Sequence, residues 1–251
     1  MTETITSPQN EKLKLIRRLA ERRGREREGL FATEGEDLLA AGLASGATPR
    51  LVLVAAGSGP GLPQEADPVE VDPELLAGVS ALGSGSRVIA AWPLPEPGEP
   101  DGAGPCTYLH GVADPGNVGT IVRTSAALGA GQVVLGEGCA DPCGPKAVRA
   151  SMGSIFSHPP RSASISATPS PRLALVAHGG EPLDAALLDL RPATVCFGAE
   201  REGLDRESLA ACDARATIPL ATGAESLNVA AAAAIALYRV CSLAAPPETT
   251  A

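Results

Sequence analysis

This chain of 251 residues is poor in the side chains that most often carry visible chemistry. It has six aromatic residues (one Trp, two Tyr, three Phe), so its core must be built from Ala, Val and Leu. Three histidines, His110, His158 and His178, stand alone, none with a Cys, Asp or Glu at metal-ligand spacing. The six cysteines are scattered. Cys139 and Cys143 are four apart, but no second Cys/His pair completes a zinc site, so buried thiols in a reducing compartment are expected and no metal is. No apolar run of about 18 residues occurs, which argues against a membrane helix, and the start, MTETITSPQNEKLKL, does not read as a secretory signal. A cytoplasmic protein follows as the expectation. Also absent are G-x-G-x-x-G, G-x-x-x-x-G-K-[ST] and G-x-S-x-G, which removes the signatures of dinucleotide-binding Rossmann sites, P-loops and hydrolase elbows.

The net charge is −9, yet residues 11–28 carry eight Lys/Arg against four Glu. This basic stretch, with Lys12, Lys14, Arg17 and Arg18 in its first half, reads either as a docking surface for a polyanion or as a solvated helix laced with ion pairs. Residues 93–105, PLPEPGEPDGAGP, contain eight Pro or Gly and mark a linker. Before it, helices over about 9–28 and 34–43 and strands at 51–56 and 87–92 form a small α/β unit, residues 1–92, with a second loop-like stretch at 57–68. After it, in residues 106–251, apolar runs at 106–112, 132–138, 173–178, 194–200 and 216–221 alternate with helical patterns near 117–129, 144–156, 203–211 and 226–243. That alternation indicates a parallel sheet covered on both faces, with chemistry in the loops after Val112, Ala199 and Leu220.

Three segments in those loops have the right residue types. In HGVADPGNVGTIVRTSAALGA (110–130), Asp114-Pro115-Gly116 makes a turn and Asn117 is typed to cap the next helix. Val118, Ile121, Val122, Ser125 and Leu128 form its buried stripe. Arg123 falls about 140° round the helix from Val118 and should point away from the core. In VCFGAEREGLD (195–205), a strand ends at Phe197-Gly198, where glycine lets a ligand approach the backbone, and Glu200 and Gly203 follow. In IPLATGAESLNVAAAAAIALYRV (218–240), Ile218, Leu220, Ser226, Leu227 and Asn228 lead into a nearly all-alanine helix that suits close packing, and Ser226 could be its cap.

In this order and at these spacings the segments resemble the SpoU–TrmH family of RNA ribose 2′-O-methyltransferases. The motifs are N-x-G-x-x-x-R at 117–123, F-G-A-E-x-x-G-L at 197–204 and I-P-L…E-S-L-N-V-A at 218–230, with PKAVRASMGSIFSHP (145–159), carrying Lys146 and Arg149, as a fourth. The N-terminal ITSPQNEKLKLIRRL…FATEGEDLL resembles, more loosely, the ribosomal-protein-like α/β substrate-binding domain of many members. The resemblance implies a C-terminal trefoil knot, which periodicity could never reveal, a homodimer, and S-adenosylmethionine as methyl donor. It places Phe197, Gly198, Gly203, Ile218, Leu220 and Leu227 around that donor and makes Arg123, Asn117, Glu200, Ser226 and Asn228 the catalytic set. Lys12, Lys14, Arg17, Arg18, Lys146 and Arg149 become the expected RNA contacts. Arginine is a poor base near neutrality, so Arg123 is expected to anchor phosphate and stabilise alkoxide charge, with Ser226 and Asn228 orienting the hydroxyl. Ribosomal RNA is favoured over transfer RNA because the appended domain resembles a ribosomal RNA binder. A non-catalytic RNA-binding protein and a base methyltransferase stand as the alternatives.

Overall fold

The structure is a computed structural model, and it describes residues 4–58, 67–81, 86–96 and 104–244. Most of the expected linker (97–103) and the middle of the loop-like stretch at 57–68 (59–66) lie outside the described residues. The chain divides into two compact units, Met1–Glu96 with Asp141–Ser157, and Pro97–Ala140 with His158–Ala251.

The first unit opens on α1 (Glu11–Leu19), capped by the Asn10 side chain accepting from Lys12 N at 2.9 Å, with Leu13, Ile16 and Leu19 buried. The helix expected over 9–28 is two helices. Glu21 is extended, and α2 (Arg22–Glu28) folds back so closely that a side chain on Gly24 would overlap the carbonyl of Arg18. The break is held by Arg25, whose guanidinium takes up the last carbonyls of α1, a tertiary cause that helical periodicity cannot carry. Then follow β1 (Leu30–Glu34), α3 (Glu36–Ala44), β2 (Leu51–Ala55), β3 (Val69–Val71), α4 (Pro73–Ala77) and β4 (Val88–Pro93). The sheet order is β1-β4-β2-β3, with β4 antiparallel to both neighbours and β3 parallel to β2.

One face of this sheet is covered by a returning piece of chain, α6 (Pro145–Ser151) and α7 (Ser154–Ser157). Val148, Ile155 and Cys143 join Phe31, Leu39, Val52 and Trp92 in one core, where the Phe156 ring lies 4.8 Å from Trp92 and 5.6 Å from Phe31. Trp92 Nε1 donates to Thr33 Oγ1 at 2.9 Å, so its one polar atom is satisfied in the interior. Half of the chain's few aromatics are gathered here. The sequence reading puts one break at 93–105 and leaves residues 141–157 with the catalytic half. The apolar stripe of α6 is legible in the sequence, but the sheet it covers is not.

The second unit is a seven-stranded, wholly parallel sheet. Its strands are β5 (Cys106–Leu109), β6 (Val133–Leu135), β7 (Arg161–Ser162), β8 (Arg172–Leu175), β9 (Glu181–Pro182), β10 (Thr194–Phe197) and β11 (Ala214–Thr217). Their order is β7-β6-β5-β10-β8-β11-β9. β10 lies between β5 and β8, and β11 between β8 and β9, so the late strands insert into the sheet instead of extending an edge. A knotted C-terminus requires that interleaving. The helices are α5 (Pro115–Ala127), α8 (Leu183–Asp189), α9 (Arg206–Ala210) and α10 (Val229–Ala244). Ala230, Ala233 and Ala236 of α10 are buried with Val118, Ile121 and Val122 of α5 and with Val195 and Phe197 of β10. Small side chains let the helix backbones approach, which is what the alanine run is for. All five strands expected after the linker are present, two to four residues shorter than their apolar runs. Short β3, β7 and β9 are too brief to leave a periodic signal, whereas β1, as long as β2 and alternating in burial, is missed by the sequence reading.

Candidate active site

The parallel registers align the carboxyl ends of four adjacent strands: Phe197 of β10 is level with Leu109 of β5, and β8 and β11 continue the row. A cavity of about 330 Å³ lies beyond β8, β10 and β11. Its walls are the segment after β8 (Leu175–His178), the loop after β10 (Phe197–Leu204), Ile218 and Leu220 after β11, and Ser226, Leu227, Val229 and Ala232 at the start of α10. Every expected cofactor contact (Phe197, Gly198, Gly203, Ile218, Leu220, Leu227) is in this wall, as are Glu200 and Ser226. Val176, Ala177 and His178 were not foreseen, although the strand-end rule applies to β8 as it does to β10.

The loop after β10 is a tight hairpin. Ala199 and Gly203 exchange both backbone hydrogen bonds, at 3.1 and 2.9 Å, and Gly203 has φ +69°. A methyl group on Gly198 would overlap the backbone of Gly203 and Leu204. Gly198 is therefore required by its own chain closing on it, and not only by an approaching ligand.

Asn117 does not cap α5. Asp114 does, accepting from Asn117 N at 3.1 Å, with Pro115 in the first turn. Asn117 stands in the first turn of the helix, three residues past the cap, and its side chain is free for a different task. Its amide donates to Glu200 Oε1, and its carbonyl accepts from Asn228 Nδ2 at 3.1 Å. Asn228 in turn caps α10, its Oδ1 accepting from Ala230 N at 2.9 Å and Ala231 N at 3.3 Å, a role the sequence reading had offered to Ser226. Three residues from three separate segments are thus tied into one polar chain that ends on the carboxylate in the cavity wall.

Arg123 is exposed, as its helical position predicts. It does not line the cavity and has no hydrogen bond or ion pair among the described residues. Six residues beyond Asn117, it lies about 9 Å farther along the helix axis.

The basic stretch is largely paired. Lys14 bridges Glu11 at 2.9 Å, Arg18 bridges Glu28 at 3.0 Å, Arg22 bridges Glu26 at 2.9 Å and Arg27 also reaches Glu28 at 2.9 Å. Lys12 and Arg17 are exposed, with Arg17 donating to the carbonyl of Pro8 at 2.9 Å. Lys146 and Arg149 are exposed on α6. The ion-pair reading of the charge therefore accounts for about half of it. Among the described residues, no helix is long and apolar enough to cross a membrane.

Residues 106–238 match the SpoU rRNA methylase family, and residues 10–90 match an MRM3-like substrate-binding domain. The chain belongs to the SpoU family. It is an S-adenosylmethionine-dependent RNA ribose 2′-O-methyltransferase. It is 32% identical to an uncharacterized tRNA/rRNA methyltransferase of Synechocystis sp., over 94% of this chain and 92% of that protein. It is 30% identical to the 23S rRNA (guanosine(2553)-2′-O)-methyltransferase of Bacillus subtilis, over 94% of this chain and 98% of that one. Among solved structures, the AdoMet-bound rRNA methyltransferase of Sinorhizobium meliloti superposes with a TM-score of 0.82 at 27% identity, covering 96% of this chain and 98% of that one. The SpoU methyltransferase AviRb of Streptomyces viridochromogenes, in complex with AdoMet, gives 0.77 at 26% identity, covering 93% and 98%.

The cavity suits that cofactor. Its volume lies in the range of small-molecule sites, about 300–1,000 Å³, and its walls are apolar around Leu175, Val176, Phe197, Ile218 and Leu227. Glu200 supplies a negative group at the wall for a ligand that carries a sulfonium and an ammonium.

Proposed function

We propose that this methyltransferase acts on large-subunit ribosomal RNA, as a homodimer, with the first unit holding the RNA. The observation that carries the site assignment is the bonded chain Glu200–Asn117–Asn228 at the cavity. The RNA assignment is supported by the likeness to the Bacillus subtilis 23S enzyme, which extends over nearly the whole of both chains and so includes the substrate-binding unit. Transfer RNA is the alternative target.

Bound S-adenosylmethionine supplies a methyl group already activated by the sulfonium charge, so the protein's work is positioning. Alignment of reactants alone is worth about 7–11 kcal/mol. Phe197, Ile218 and Leu227 hold the apolar parts of the donor, and Asn117 fixes the Glu200 carboxylate by an amide hydrogen bond. Ser226 and Asn228 orient the ribose 2′-hydroxyl and relay its proton to solvent as the 2′-oxygen takes the methyl group and the donor's carbon–sulfur bond breaks. Arg123 binds a phosphate of the target nucleotide and stabilises negative charge developing on the 2′-oxygen.

The dimer is supported by α10. Ile235 and Tyr238 are 41% and 58% exposed and, with Ala231, form a stripe at helical spacing on the side away from the sheet. Such a face in a chain with so few aromatics is a natural place for a second copy. Incubation with labelled donor and a mixture of ribosomal and transfer RNA tests the target. Label in the large-subunit RNA is expected, and label confined to transfer RNA would overturn that assignment.

A further inference from the structure

Lys146 and Arg149 stand on a helix that the chain order places between two strands of the second unit, yet α6 packs in the first. What holds it there is visible at the point of entry. Arg25 on α2 is 4% exposed. Its Nη1 donates to the carbonyls of Leu19 at 2.8 Å and Ala20 at 2.9 Å, and its Nε donates to Asp141 Oδ2 at 3.1 Å, with Nη2 reaching the same oxygen. Asp141 Oδ1 accepts from Cys143 N at 2.9 Å, so both carboxylate oxygens are used. One buried guanidinium therefore joins the end of α1 to the first residue of the returning segment. A planar fork with fixed donor directions can do this; a lysine cannot. The preceding residue, Ala140, donates to the carbonyl of Val112 at 2.9 Å, in the turn that leads to Asp114 and Asn117.

Beyond Asp141, burial of Ala147, Val148 and Ser151 fixes which side of α6 faces outward, and Lys146 and Arg149 are on it. Arg149 borders a small depression together with Ile16, Ala20, Glu34 and Leu38, at the end of α1. The Glu34 carboxylate there is already engaged, accepting from Ser80 Oγ and from Ala81 N at 2.7 Å. Within 11–28, the ion pairs and the burial of Arg25 leave Lys12, Arg17 and Arg23 exposed without an acidic partner among the described residues. Three cations make a thin surface for a polyanion, and α6 presents two further exposed cations, Lys146 and Arg149, the latter at the end of α1.

We infer that the RNA-phosphate surface of the first unit is composite, made of α1–α2 and the returning α6, and that Arg25 is the positioning residue that holds Lys146 and Arg149 in it. This rests on the reading of the chain as an enzyme that holds RNA with its first unit. Its partner is the phosphodiester backbone of a folded RNA, read as charge and not as sequence.

The test is the salt dependence of binding to an in vitro transcript of large-subunit ribosomal RNA. Each phosphate contact contributes about 0.7–0.9 to the slope of log K against log salt. Lys146→Gln/Arg149→Gln should flatten the slope by about 1.4–1.8. Arg25→Met should flatten it comparably, and adding the two Gln substitutions to Arg25→Met should change it little further. S-adenosylmethionine affinity should stay at the wild-type value throughout. An unchanged slope in the Gln pair, whose sites are exposed and safe for folding, overturns the composite surface. Full additivity in the triple variant overturns the positioning role. If Arg25→Met does not fold, Asp141→Glu, which keeps the charge but lengthens the arm, carries the same expectation. Methyl transfer by the wild type is scored separately, so failure of the enzymatic reading is distinguishable from failure of this one.

Discussion

Asn117 and Glu200, 83 residues apart in the chain, meet through one hydrogen bond from amide to carboxylate, and Asn228 completes the line by donating to the other end of the same amide at 3.1 Å. The bond joins the first turn of α5 to the hairpin that walls the cavity. Hydrogen bonds to charged groups contribute about 1.5–3 kcal/mol, and the exposure of this one places it at the low end. Asn117→Ala should therefore lower kcat/KM for methyl transfer by about tenfold. Asn117→Asp, which sets like charges against each other, should lower it further. Steady-state kinetics with saturating RNA and varied donor check both, and an Asn117→Asp enzyme better than Asn117→Ala would remove the bond from the account.

Gly198 has no room for a side chain because Gly203 and Leu204 close over it. Gly198→Ala should open the hairpin and weaken S-adenosylmethionine binding by at least tenfold in calorimetry. The first unit, with its separate core, should unfold as in the wild type. Unchanged donor affinity would show that the hairpin can shift without harm to the cavity.

Ile235 and Tyr238 are expected at a subunit interface. Tyr238→Asp should convert a dimer into a monomer in sedimentation velocity while leaving the far-ultraviolet circular dichroism unchanged, since the side chain is 58% exposed within one chain. A wild-type chain that sediments as a monomer at micromolar concentration would contradict the dimer outright.

The thiols differ in reactivity for physical reasons. Burial pushes Cys106 up to about 11 and Cys143 up to about 12, so both stay protonated and unreactive at pH 8. The interaction of the two neighbouring thiols raises Cys196 and lowers Cys212, and Cys212 is also the partly exposed member of the pair. Iodoacetamide at pH 8, read by mass spectrometry, should label Cys212 first. Earlier labelling of Cys143 would show that the returning segment opens readily.

Much of the second unit was legible because strands buried on both faces and amphipathic helices leave periodic signals. Arg123 is an example: its exposure followed from its angle to Val118. The cavity wall lies where the family resemblance expects the cofactor contacts, and the strand-end rule alone would have directed attention to the same loops. What could not be read were contacts made across the chain. Asn117 is as good a cap by type as Asp114, and only the turn geometry decides between them. Arg25 looks like any of the eight cations in its stretch until Asp141 comes to meet it. The placement of 141–157 escaped for the same reason, since an apolar stripe does not name its partner.

The most direct measurement is the position of the methyl group, in the wild type and in Arg123→Ala. Alkali cleaves RNA through the free 2′-hydroxyl, so a 2′-O-methyl leaves an alkali-stable dinucleotide. With labelled S-adenosylmethionine and large-subunit ribosomal RNA, the wild type should place label in such dinucleotides. Arg123→Ala should place none while still binding the donor. Label released as mononucleotides, or wild-type transfer by Arg123→Ala, would contradict the account.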